Sequence, residues 1–181
     1  MTDTSGLGRP TEGDVLQLIL DDHRRFEELL RELRDSSADR DAVRRVFSAL
    51  HVAHAEAEER AVYPTLRHQH AIDEHEAEHG QEEHAQGHEA LLKVLEAGSV
   101  EVGEFDDLVE DLGAVVYHHL TEEELTILNP ARTEVPGDVR RELGAAFAAE
   151  RNTQLDADCG RIENVRNIVT RAGRKGLLSE D

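Results

Sequence analysis

The chain has one cysteine among 181 residues, Cys159, so no internal disulfide can form, and a reducing cytoplasm suits it. It has no tryptophan, and aromatic residues make up only 3% of it. Basic residues are half as numerous as acidic ones, 20 against 40, and the net charge of −20 argues against nucleic acid or an anionic membrane as partner. No apolar run approaches the roughly 20 residues that a membrane span requires. Met1 to Pro10 lacks an apolar signal region, so a cytoplasmic location is expected. Prolines number four and β-branched runs are short, while Ala, Leu, Glu and Arg dominate. That mixture favours helix throughout. The 38% of hydrophobic residues is enough for one core in a chain of this length.

Periodicity then divides the chain. Thr11 is expected to cap a first helix, with Asp14 three residues on as a weak capping box. Its stripe is Leu16, Ile19, Phe26, Leu30 and Leu33, with His23 filling the gap. The polar segment from Asp35 to Asp39 ends it. A second helix from about Arg40 to the mid-60s carries Val43, Phe47, Leu50, His54, Glu58 and Ala61, and Pro64 marks a kink or its last turn. Asp73 or Glu74 opens a third, with His84, His88, Leu91 and Leu95 on one face, which Gly98 should close. Ser99 precedes a fourth, striped by Phe105, Leu108, Leu112, Val115, His119, Glu123 and Thr126 and ending before Pro130.

This pattern predicts an all-α, antiparallel up-down-up-down four-helix bundle over residues 11–130. A flexible lead-in, residues 1–10, precedes it. Residues 131–181 form a C-terminal helical extension: a fifth helix near Gly137 to Glu150, with Leu143 and Phe147 on one side, and a weakly specified, more basic tail.

Eleven histidines lie between His23 and His119, and none beyond. At about 100° per residue, helical geometry places only five of them on interior stripes: His23, His54, His84, His88 and His119. His75 and His79 fall on the outer face of the third helix, and His68 and His70 in a turn after Pro64. His51 lies about 60° from His54, and His118 about 100° from His119, at the stripe edge. Glu58 and Glu123 join the interior set, each four residues after a histidine and on the same face as it. Ionised carboxylates inside a bundle cost several kcal/mol unless they are paired or bound to metal. Imidazole with carboxylate suits a transition metal such as iron or zinc. The seven residues therefore read as one shared metal site, provided the helices are offset by about a turn.

The ordered set resembles the hemerythrin-like family, the HHE cation-binding domain, over about Val15 to Pro130. The elements that carry the likeness are His23, His54-x-x-x-Glu58 followed by Tyr63-Pro64, His84 after two glutamates, and His118-His119-x-x-x-Glu123. The resemblance implies a cofactor of two iron ions with an oxo or hydroxo species between them. His23, His54, His84, His88 and His119 would be terminal ligands, and Glu58 and Glu123 bridging carboxylates; His79 and His51 are reserves. Oxygen carriers of the family typically place Asp five residues after the fourth-helix histidine. The His119-to-Glu123 spacing instead resembles the bacterial branch, and points away from reversible oxygen carriage.

On this reading an open iron position receives a small diatomic or peroxide, and Phe26, Phe47, Leu50, Leu112 and Val115 keep the pocket apolar. No Ser-His-Asp or Cys-His arrangement and no Gly-rich phosphate loop is visible, which leaves hydrolase and nucleotide roles aside. Three functions follow in order. The first is a protein that binds or processes oxygen, nitric oxide or hydrogen peroxide, with catalase-like or oxidase activity within its range and a redox partner of unknown identity. The second is an oxygen, redox or iron sensor whose last segment transmits the metal state, so that removing it would spare metal uptake. The third is metal binding or storage.

Overall fold

The computed structural model describes residues 2–101 and 103–178, and among the described residues there are helices and turns but no strand. In chain order the helices are α1 (Val15–Arg34), α2 (Arg40–Ala57), α3 (Tyr63–His68), α4 (Glu74–Glu96), α5 (Glu104–Glu123), α6 (Asn129–Glu134), α7 (Gly137–Asp156) and α8 (Ile162–Arg174). A π turn, Glu58–Val62, joins α2 to α3 without a break, and a second, Glu124–Leu128, joins α5 to α6 in the same way. No described helix is long and apolar enough to cross a membrane.

The apolar core falls into two clusters, and each helix meets them in a definite order. Val15, Leu16 and Ile19 of α1 belong to one cluster, and Phe26 to Leu33 to the other. On α2 the order reverses: Phe47 to Ala53 lie in the second cluster, and Ala57 onward in the first. α4 repeats the order of α1, with Ala77 and then Ala90 to Val94, and α5–α6 repeats that of α2. Consecutive rods thus run in opposite directions. α1 packs on α2, α2 on α4, α4 on α5, and α5 back on α1. This is the up-down-up-down four-helix bundle, and the interior histidines and glutamates sit where the two clusters meet.

Several expected boundaries move. Asp14, not Thr11, caps α1, accepting the Leu16 amide at 3.0 Å. Asp73 caps α4, which ends at Glu96, before Gly98. α5 starts after Gly103, whose φ of 108° suits glycine, rather than directly after Ser99. The fourth rod does not stop before Pro130; it runs through it to Glu134. Likewise the second runs through Pro64 to His68, leaving only His70 in the turn. Each proline sits in the first turn after a π turn, where its missing N–H and its ring are tolerated. The π turns also rotate the buried face. Val62 rather than Ala61, and Ile127 rather than Thr126, point inward. On α5, Val116 is buried and Val115 only partly so.

α7 lies against α1 and α2, and α8 against α4. α7 runs on to Asp156, beyond the expected Glu150, and the tail holds the regular helix α8. Glycine permits two close approaches. A Cβ on Gly144 would stand 2.0 Å from the Gly13 carbonyl oxygen, and one on Gly160 would stand 2.4 Å from the Ala49 amide nitrogen. Ser48 closes the second contact, donating to the Gly160 carbonyl at 2.8 Å. The N-terminal residues run along α7: Arg9 reaches Asp156, and Asn152 donates to the Pro10 carbonyl.

Candidate metal centre

Glu58 and Glu123, the residues on which the two π turns begin or border, are the least exposed carboxylates of the centre. Glu58 Oε1 lies 3.2 Å from His54 Nε2, and Glu58 Oε2 lies 3.1 Å from His84 Nε2. Glu123 Oε2 lies 3.1 Å from His23 Nε2 and 3.8 Å from His119 Nε2. Four imidazoles from four rods therefore turn the same ring nitrogen toward two central carboxylates. His23, His54, Glu58 and Glu123 each offer a donor atom within 4.8 Å of the others, and so do Glu58, His84 and His119. His54, His84 and His119 keep Nε2 buried without an aligned hydrogen bond, and so do both oxygens of Glu58. Buried donors left so are costly in a folded core, and a cation among them removes that cost. The residues present therefore fit a metal ion, and their mixed nitrogen and oxygen chemistry fits iron, zinc or manganese.

The other nitrogen of each ring is held by a carboxylate that the sequence reading passed over. Asp22 faces His54 Nδ1 at 3.2 Å, and Glu59 faces His84 Nδ1 at 2.9 Å. Glu83 faces His119 Nδ1 at 3.0 Å, and Glu124 faces His23 Nδ1 at 2.9 Å. Each acid fixes a ring so that Nε2 points inward, the arrangement that orients metal-binding imidazoles and raises their basicity. A signal was present in the sequence. On α1 and α4 the acid precedes the centre residue (Asp22-His23, Glu83-His84), whereas on the two rods running the other way it follows (Glu58-Glu59, Glu123-Glu124).

Electrostatics match this geometry. Burial works against the charged imidazoles, yet Glu123 and Glu124 push His23 up to about 9. Against the same burial, Glu58 and Glu59 push His84 up to about 10. Burial would raise Glu123, but the His23 and His119 imidazoles hold it below the usual carboxylate range. Tyr63 is pushed well above its ordinary value by burial and by Glu123, so its hydroxyl stays protonated and donates to Glu123 Oε1 at 3.1 Å. Gly80 makes room for that ring: a Cβ there would stand 2.8 Å from the Tyr63 hydroxyl.

His88 joins neither group. It lies beside His51, ring centroids 4.7 Å apart, and burial pushes it down to about 3. His51 is equally buried, between Phe26 and Phe47 on one side and Gly87 on the other. Of the expected pocket liners, Phe26, Phe47, Leu50 and Leu112 are buried, and Phe26 meets the His54 ring edge-on at 5.1 Å. His118 and His79 stay on the surface.

Residues 14–130, more than half of the chain, match the family model described as the hemerythrin HHE cation binding domain. A curated relative from Nostoc sp. (strain PCC 7120 / SAG 25.82 / UTEX 2576), named DNA nickase, is 27% identical over 142 residues, 77% of this chain. The chain spans only 39% of that relative's length. No solved structure matches the chain.

Proposed function

The chain belongs to the hemerythrin family of HHE cation-binding domains, and from that premise we propose that its buried centre holds a pair of iron ions and binds or processes a small oxidant. Oxygen, nitric oxide and hydrogen peroxide are the candidates. His23, His54, His84 and His119 would be the nitrogen ligands, and Glu58 and Glu123 the carboxylates shared between the two ions. His88 is outside this set, because it stands with His51 rather than with the central glutamates. The observation that carries the reading is the convergence of four buried imidazoles on two carboxylates, with His54, His84 and His119 Nε2 and both Glu58 oxygens left without an aligned hydrogen bond. Iron bound there would supply electrons and an open position for a small molecule.

The protein's own residues do the rest. The four outer carboxylates hold the imidazole Nδ1 protons and so keep Nε2 aimed inward. Tyr63 steadies Glu123, and Phe26 packs its ring edge-on against His54. Metal analysis with visible spectra tests the reading. About two irons per chain are expected, with an absorption change when the reduced protein meets oxygen, nitric oxide or peroxide. Fewer irons, no such change, and unaltered metal content in Glu58→Ala would reject it.

A second reading comes from the relative's printed name. The whole chain is strongly acidic, which opposes DNA binding, yet α8 and its end collect Arg161, Arg166, Arg171, Arg174 and Lys175. Nicking of supercoiled plasmid by the metal-loaded protein, lost on changing Arg171 and Lys175 to Glu, would favour it; intact plasmid would exclude it.

A further inference from the structure

Beyond the family match, which ends at residue 130, α7 places two side chains one helical turn apart against the centre. Phe147 meets the His54 ring edge-on at 5.9 Å. Arg151, 1% exposed, sends Nε to Asp22 Oδ2 at 2.7 Å and Nη2 to Asp22 Oδ1 at 2.8 Å. Asp22 Oδ2 is the same oxygen that faces His54 Nδ1. Two further guanidinium N–H groups donate to the Leu7 and Gly8 carbonyls at 3.1 and 3.3 Å. A planar fork bonded to both oxygens of a carboxylate fixes that carboxylate's plane as well as its position. Asp22 has no such freedom to turn, and neither has the imidazole behind it.

We infer that Arg151 is a positioning residue for the metal centre: α7, through Arg151 on Asp22 and Phe147 on the ring, sets the orientation of His54. Arg151 makes no hydrogen bond to a candidate ligand and acts through Asp22. The C-terminal extension is then a working part of the centre, not an appendage that senses it. The N-terminal residues belong to the same assembly, because their carbonyls hold the far side of the guanidinium. The inference rests on the metal reading above.

The test compares full-length parent, Arg151→Met, Arg151→Lys, and Arg40→Met as a control. Arg40 is similarly buried, at 3% exposed, but binds Leu33, Val100 and Asp106, none of them in the centre. Cobalt(II) and iron(II) affinities are measured by competition with a chromogenic chelator, and the visible bands of the cobalt-loaded proteins are recorded. Arg151→Met should bind about 10- to 100-fold more weakly at one equivalent, with altered bands, and Arg151→Lys should fall between it and the parent. Arg40→Met should lower the melting temperature yet keep the parental affinity and spectrum. Parental affinity and bands in Arg151→Met would overturn the inference. So would an equal affinity loss in Arg40→Met, since that reports destabilisation alone. If Arg151→Met does not fold, Arg151→Lys decides on the same readouts. A parent that takes up no metal defeats the metal reading itself, whereas a loaded parent with an unaffected Arg151 variant defeats only the positioning role.

Discussion

Tyr63 shows how much of the centre depends on single atoms. Its hydroxyl is the partner of Glu123 Oε1, and α4 gives up a side chain at Gly80 to admit it. Tyr63→Phe leaves a buried carboxylate oxygen without that bond, so the metal-free protein should lose about 1–3 kcal/mol. Denaturant unfolding in the presence of chelator measures this; an unchanged midpoint would mean that Glu123 is held by its histidines alone. The same reasoning explains which residues were legible beforehand. His23, His54, Glu58, His84, His119 and Glu123 interrupt apolar stripes, and an interrupted stripe is visible in one dimension. Asp22, Glu59, Glu83 and Glu124 stand about 100° round from a central residue, toward a neighbouring helix, and on an acidic chain they look like ordinary surface. His88 shared the stripe of His84, but periodicity cannot tell a side chain that reaches Glu58 from one a turn away that meets His51.

At the scale of elements, the bundle was readable because its polar interruptions recur on every helix, while the rod ends were not. Proline normally marks a helix end. Here the π turns accommodate Pro64 and Pro130 within continuous rods, and they shift the inner face to Val62 and Ile127. No hydrophobic periodicity announces one extra residue per turn. The docking of α7 and α8 was equally hidden, because it depends on glycines that simply lack atoms. Gly160→Ala pushes a methyl group into the Ala49 backbone, which cannot swing aside as a side chain would. A loss of about 1–3 kcal/mol is expected from such overpacking, read by thermal or urea unfolding. A parental stability would show that the loop before α8 moves away freely.

For the molecule as a whole, pH is the informative variable. In the metal-free chain His23 and His84 bind protons more tightly than they would unfolded, near 9 and 10 against 6.5. Their contribution to stability is therefore full below about pH 6.5 and fades as pH rises through 9 and 10. Melting temperatures in chelator should fall over that span by more than those of a His84→Gln variant. A metal ion must displace the same protons, so loading at pH 7 should release about two of them, and apparent affinity should climb toward pH 10. Calorimetry in buffers of different ionisation enthalpy counts them. Ending the chain at Glu134 removes Phe147 and Arg151 together. The truncated protein should melt lower and hold metal less tightly, the reverse of what a detachable signalling segment would give.

The alternating placement of the outer acids has a consequence for topology. A four-helix up-down-up-down bundle can be wound in either circular order, and apolar packing distinguishes the two hands poorly. Here Asp22 reaches from α1 to α2, Glu59 from the π turn after α2 to α4, Glu83 from α4 to α5, and Glu124 from the π turn after α5 to α1. Every step turns the same way, because an acid one place before its neighbour on an ascending helix and one place after it on a descending helix are rotated in one sense. The side of the centre residue on which each acid stands thus links every ring to the preceding rod in a single winding sense.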